Sequence, residues 1–195
     1  MSERRRIRTP EEFEALAAPE ERTVWRVCYR LLGNAADAED AVQETMLRAW
    51  QHRSRFQGES SVRTWLCSIA VHWCMDRLRQ RKRRPQVSLD TLREDGYDPE
   101  SREPLPQEEV ERRDCRERLQ QALGELEEDQ RVPLVLYAQE QWSYEEIAAA
   151  LSLPVGTVKS RISRAREKIC LRMRAEEGNP AGSPASNKSE RRGRS

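Results

Sequence analysis

Residues 142–168 read WSYEEIAAALSLPVGTVKSRISRAREK, and the fold of the chain turns on how this stretch is taken. Ser143 stands three residues ahead of Glu146, the spacing at which side chain and backbone amide cap each other in both directions, so a helix begins there. Ile147, Ala148 and Leu151 give that helix one apolar face, and its small residues let a second helix cross close by. Ser152, Leu153 and Pro154 interrupt it, because proline cannot supply the amide that a continuing helix needs. A second helix then starts almost at once. At about 100° per residue, Val158, Ile162, Ala165 and Ile169 share one narrow inward sector. The opposite sector holds Gly156, Ser160, Ser163 and Glu167, flanked by Lys159 and Arg164, with Arg166 and Lys168 further round. Short residues allow close approach to a duplex, and Lys and Arg reach phosphates and guanine edges. Two short helices, a tight turn and a basic second helix make a helix-turn-helix. The plainer alternative is an amphipathic helical hairpin whose basic side is merely solvated.

The run 143–169, SYEEIAAALSLPVGTVKSRISRAREKI, resembles, without a gap, the carboxy-terminal promoter-binding domain of the extracytoplasmic-function family of bacterial RNA polymerase sigma factors. The resemblance implies that this domain reads a promoter's upstream (−35) element, with Thr157, Lys159, Ser160, Ser163, Arg164 and Arg166 at the matching positions. Most of these also lie in or beside the outward sector. Several relatives carry a bulkier residue where this chain has Ser163, a departure that bears on base preference.

Composition bounds the rest. With 195 residues, 36% hydrophobic and 35% charged, the chain has room for one domain or two small ones and no surplus of core. Glycine is scarce and β-branched runs are few, so an all-α fold is expected. The net charge of +1 hides a strong pattern. From Arg22 to Arg84 thirteen Lys or Arg face six Asp or Glu; from Pro85 to Gln130 six face fifteen; from Pro154 to Arg174 seven face one. Two basic blocks thus flank an acidic one. The start, MSERRRIRTPEEF, lacks the apolar stretch of a secretion signal, and no run approaches the length of a membrane span, so a cytoplasmic protein without membrane insertion is expected. Five scattered cysteines, Cys28, Cys67, Cys74, Cys115 and Cys170, do not form a disulfide framework; most are expected to be reduced and buried.

Working back toward the amino terminus, Pro10, Phe13 and Leu16 carry a first helical pattern that Pro19 interrupts. Val24, Val27, Cys28, Leu31 and Leu32 keep helical spacing up to Gly33 and Asn34, which suit a stop. Asp37 is a candidate cap for the next helix, in which Val42, Thr45, Met46, Ala49 and Trp50 face one way and Glu39, Asp40, Gln43 and Glu44 another. Favourable charge placement in a first turn also accounts for Asp37 and Asp40. The loop RFQGESSV, residues 55–62, precedes a helix in which Val62, Trp65, Leu66, Ile69 and Trp73 lie on one side and Cys67, Val71, Cys74 and Leu78 on the other, so its middle is expected to be buried on two faces. Ser60 or Ser61 can cap it. Asp76 falls in the first apolar sector, where an internal ion pair or cap is expected. The helix ends in RLRQRKRR, residues 77–84, a solvated tail or a phosphate track.

A second resemblance lies here: residues 33–84, from GNAADAEDAV to RQRKRR, look like the amino-terminal domain of the same family. It implies that Asp37, Asp40, Gln43 and Glu44 dock on the clamp coiled coil of core RNA polymerase, while the carboxy-terminal domain meets its flap. It also implies that the loop captures a flipped base of the downstream (−10) element through Phe56, Gln57, Gly58, Ser60 and Ser61, with Arg55 and Arg63 on phosphates. Phe56 can equally be a hydrophobic anchor for its loop. His72 stands where many relatives have Asn, and both can hydrogen-bond a base.

The expected architecture is all-α: two small helical domains joined by a flexible linker, the carboxy-terminal one a helix-turn-helix. Residues 11–84 form the first domain, 85–107 an acidic, proline-rich linker, 108–174 the second domain and 175–195 a disordered tail. Pro133 is tolerable only near the start of its helix. The expected function is a sigma factor that binds core RNA polymerase and promoter DNA, catalyses nothing, needs no cofactor or metal, and is held by an anti-sigma factor. The alternative is a dimeric helix-turn-helix regulator that binds operator DNA without delivering polymerase. No glycine-rich phosphate loop, nucleophile elbow or HExxH occurs, and His72 and Cys74, two apart on a helix, do not face one another.

Overall fold

The computed structural model describes residues 7–83 and 107–177, side chains excepted at 107–112 and 176–177. The expected linker, apart from Gln107, and the expected tail beyond Glu177 lie outside the described residues. Among the described residues the secondary structure is entirely helical. Helix α1, Pro10–Ala17, opens with a reciprocal capping box between Thr9 and Glu12 and carries proline in its first turn, where the missing amide costs nothing. A short 3-10 turn, Ala18–Glu20, follows it, as the interruption at Pro19 suggests. Helix α2, Glu21–Leu32, stops at Gly33, whose φ of 84° lies in the left-handed region that suits glycine.

Helix α3, Ala35–Gln51, is capped by Asn34 rather than by Asp37: the Asn34 side chain accepts from the Asp37 amide at 2.8 Å. Both residue types cap well, and the stop of α2 at Gly33 sets which one falls at the boundary. Helix α4, Val62–Arg83, begins behind Ser61, whose hydroxyl accepts from the Thr64 amide at 3.0 Å. Leu66, Cys67, Ala70, Val71 and Cys74 are buried on it, so its middle is covered on two sides. Asp76 departs from expectation. It is exposed and faces Arg79 at 3.6 Å on the surface, because the helix has by then run out past the core.

The second set of helices is α5, Gln107–Gly124; α6, Glu128–Gln139; α7, Tyr144–Leu151; and α8, Val155–Glu177. Pro133 sits well inside α6 and is buried, so the Asp129 carbonyl loses the amide that a helix would ordinarily give it. The capping box of Ser143 and Glu146 opens α7, and Ser152 ends it at φ 53°. Helix α8 continues past Arg174 to Glu177.

Packing follows the apolar faces. Helices α2, α3 and α4 close on one another through Val24, Val27, Cys28 and Leu31 with Ala38, Ala41, Val42, Leu66 and Ala70. Helices α5, α6 and α7 close on α8 through Leu123, Val132, Leu136, Ile147, Val158, Ile162 and Ala165. Each fully buried Leu or Ile contributes about 1.5–3 kcal/mol of transfer free energy. The two sets also meet: α2 touches α5 and α6, α4 touches α6, and the buried residues form one continuous cluster.

Candidate nucleic-acid interface

The face of α8 is built by its own periodicity. Val158, Ile162 and Ala165 are buried against α6 and α7, which leaves Gly156, Lys159, Ser160, Ser163, Arg164, Arg166 and Lys168 exposed and Thr157 half-buried. The Ser160 hydroxyl donates to the Thr157 carbonyl at 2.9 Å, which keeps it close to the helix surface. Lys159 lies over the Tyr144 ring, Nζ 5.3 Å from its centroid, and Tyr144 in turn stacks on Tyr137 with centroids 5.0 Å apart. Tyr144 is the first residue of α7, and no local pattern in the sequence signals this stack. Arg161 and Arg172 are basic side chains of α8 turned back toward the protein, Arg161 with Asp129 of α6 at 3.3 Å and Arg172 with Glu125 at 3.0 Å.

The second basic region is the loop between α3 and α4. A 3-10 turn, Arg53–Arg55, leads into it, and Gly58 takes φ 69°, a conformation that disfavours any side chain with a Cβ. Arg55, Gln57, Gly58, Ser60, Ser61 and Arg63 are exposed along one run. Phe56 is not: it is buried with its ring 5.1 Å from that of Trp65, so it braces the loop from inside. Arg53 covers Trp50, its guanidinium carbon 3.8 Å from the ring centroid, and donates to the Trp50 carbonyl at 2.9 Å. Arg63 pairs with Glu20 at 2.8 Å. His72, one face of α4 further on, is exposed and its Nδ1 lies 2.6 Å from the Ser68 carbonyl. A carbonyl can only accept, so Nδ1 carries the proton and Nε2 is left to face outward as an acceptor in the neutral ring.

The acidic strip on α3 divides in two. Asp37 is tied inward to Asn34, Arg81 and Arg77, the last at 3.6 Å. Burial pushes its carboxyl up, but the Asn34 amide and the guanidinium groups of Arg81 and Arg77 together hold it below the usual carboxylate range. Asp40 and Gln43 are exposed, Glu44 is half-exposed beside Arg48 at 2.6 Å, and Leu47, 51% exposed, continues the same strip. Among the described residues, no group of three His, Cys, Asp or Glu is placed to hold a metal, and no helix is long and apolar enough to cross a membrane.

Two family matches fall on these two helical sets. The family described as Sigma-70 region 2 matches residues 16–84, and that described as Sigma-70, region 4, matches residues 116–169. The RNA polymerase sigma-H factor of Pseudomonas aeruginosa is 35% identical over 162 residues, which cover 80% of this chain and 83% of that protein. The ECF RNA polymerase sigma factor SigW of Bacillus subtilis is 32% identical, with 77% of this chain and 83% of that one covered. This chain belongs to the ECF family of RNA polymerase sigma factors. SigG of Mycobacterium tuberculosis is 36% identical over 179 residues, 81% of this chain but 48% of the relative, so the chain spans about half the length of those relatives. Among solved structures, the sigma factor RpoE in complex with the anti-sigma factor NepR from Bartonella quintana aligns with a TM-score of 0.66 at 26% identity, covering 85% of this sigma factor and 99% of that one. CnrH in complex with the cytosolic domain of CnrY aligns at 0.58 and 26%, covering 86% and 91%.

Proposed function

We propose that this chain is a dissociable initiation subunit: it binds core RNA polymerase and directs it to promoters carrying two separated recognition elements. The observation that carries the reading is the order of the two family matches, region 2 then region 4, each on a helical unit with an exposed basic surface. In this reading α8 enters the major groove of the upstream element. Lys159, Ser160, Ser163 and Arg164 face base edges, while Thr157 and Arg166 steady the backbone. The loop 55–63 takes an extruded base of the downstream element: Gln57, Ser60 and Ser61 supply hydrogen bonds, Gly58 permits close approach, and Arg55 and Arg63 hold phosphates. His72 offers Nε2 on the same side. Phe56, being buried, contributes the shape of the loop.

Asp40, Gln43, Glu44 and Leu47 form the docking strip for a basic coiled coil on the polymerase, with Asp37 holding the start of α3 in place for them. The carboxy-terminal unit meets the polymerase flap. An anti-sigma protein is the expected antagonist, since RpoE and CnrH, both alike in fold, were solved bound to such partners or to a cytosolic partner domain. The chain would act where the polymerase is, in the cytoplasm, and would carry out no chemistry of its own.

The test is transcription by core polymerase reconstituted with the full chain, with transcript 5′ ends sequenced. New start sites that share two spaced elements, and that disappear with Asp40→Lys/Glu44→Lys, are expected. Identical starts with and without the chain would sink the proposal, and tight specific duplex binding by the free dimeric chain would favour an ordinary operator-binding regulator.

A further inference from the structure

The polar row at the head of α4 has a direction built into its hydrogen bonds. At about 100° per residue, Ser61, Ser68 and His72 fall within about 40° of one another, so they form one line that leaves the loop and climbs the helix. Ser61 and His72 are exposed, and Ser68 is half-buried. Ser61 serves as the cap, its hydroxyl accepting from the Thr64 amide at 3.0 Å. The Ser68 hydroxyl donates to the Trp65 carbonyl at 2.7 Å. His72 Nδ1 donates to the Ser68 carbonyl at 2.6 Å. Ser68 and His72 have thus each given their one proton to the backbone of their own helix.

A hydroxyl whose proton is committed can only accept, and a neutral imidazole protonated at Nδ1 accepts at Nε2. Neither group turns a donor outward without giving up a bond to a helix carbonyl. A carboxamide in place of His72 would carry both an amine and a carbonyl, and could match either polarity by turning over. Position along the helix decides which base is met. The rise from Ser61 to His72 is about 16 Å, several steps of a stacked strand. A base extruded into the loop does not span that distance, so in the proposed function His72 meets a neighbouring base that stays paired and shows its major-groove edge. On that edge adenine and cytosine each carry an amino donor, whereas guanine and thymine present a keto oxygen in its place.

We propose that His72, with Ser68 below it, sorts bases by amino against keto group. Its bare Nε2 accepts from adenine N6 or cytosine N4 and leaves guanine O6 or thymine O4 facing a lone pair. The acceptor polarity is a matter of this chain's own bonds; only the presence of promoter DNA on this face rests on the function proposed above. An acceptor set against an acceptor leaves both groups without a partner, so the selection comes as much from the cost to keto bases as from the bond to amino ones. The size of the ring system, purine or pyrimidine, is secondary in such a choice.

Long-range proton–nitrogen NMR of the full chain, without polymerase and at about pH 8, reads the tautomer. His52 is the only other histidine, so the signals lost in H72N belong to His72. Protonated Nδ1 with bare Nε2 is expected, and a proton on Nε2 overturns the acceptor polarity. Transcription by the reconstituted holoenzyme, from promoters that carry each base pair in turn at every position of the downstream element, reads the selection. At one position adenine and cytosine should be favoured about five-fold over guanine and thymine, and exchanging that adenine for purine, which lacks only the amino group, should cost about the same factor. In H72A, with lower output, both differences should vanish; in H72N guanine and thymine should rise to the level of adenine and cytosine. The same order of bases in the wild type and H72A overturns the selection, whether or not output falls, and so does a His72-dependent preference for keto bases. No chain-dependent start at all overturns the proposed function and the selection with it while the NMR result stands, so the failures are told apart.

Discussion

Asp37 is a residue whose value to the fold can be separated from any part in docking. Its folded carboxyl lies below its ordinary value of 3.8, because Asn34, Arg81 and Arg77 outweigh the burial that opposes them. A group depressed in this way adds stability that is full above the ordinary value and is lost as pH falls through the folded one. Asp37→Asn should therefore cost about 1–2 kcal/mol at neutral pH and flatten the acid side of a plot of urea midpoint against pH, below pH about 4. Ser143→Ala removes one half of the capping box at the head of α7 and should cost about 1 kcal/mol, measured by denaturant titration. That cap was legible because its two halves lie three residues apart. For Phe56 the sequence left a base contact and a hydrophobic anchor open, because its partner Trp65 is set by the path of the loop rather than by any local pattern; its burial is that of the anchor.

At the scale of the element, α8 is the helix the sequence describes most fully. Its inward sector, its basic outward face and the turn before it are all local properties of residues 152–169, and the structure keeps each of them. If α8 reads bases as proposed, Arg164→Ala should cost about 1–3 kcal/mol of discrimination at one base pair of the upstream element. Lys168→Ala should instead weaken binding evenly across sequences and reduce the slope of log K against log salt by about 0.9. Competition binding of the reconstituted holoenzyme on a panel of single-base variants separates the two. Helix α4 was harder to read. Its middle is buried on two sides, so angle alone does not say where cover ends, and Asp76 falls beyond that end in solvent.

At the scale of the molecule, the bond from Gln120 to Tyr29 and the bond from Arg131 to Leu31 bridge 91 and 100 residues of chain. No periodicity or cap signal reports a pairing at that distance; the sequence shows only that acidic and basic blocks alternate. Charge complementarity was therefore legible as a pattern, while the residues that realise it were not. Since one continuous cluster of buried residues spans both helical sets, the wild type should unfold in a single calorimetric transition. Arg131→Ala, by uncoupling the sets, should split it into two or bring the van't Hoff enthalpy clearly below the calorimetric one.

Cys67 turns the contact between the two helical sets into a clock. Enclosed between α4 and Glu140, its thiol is pushed up to about 12 by burial and by the neighbouring carboxylates of Glu140 and Glu20, so almost none of it is thiolate at neutral pH. Cys28 and Cys74 lie inside the first helical set, the Cys28 thiol raised by its bond to Cys74 and by burial, and separation of the two sets would leave them covered. Cys115 and Cys170 are exposed and would be consumed at once by an alkylating reagent. The third equivalent of reagent taken up by the native chain would then mark each parting of its halves, and the pace of that uptake, followed by intact mass, would give the lifetime of the joined form without any label or mutation.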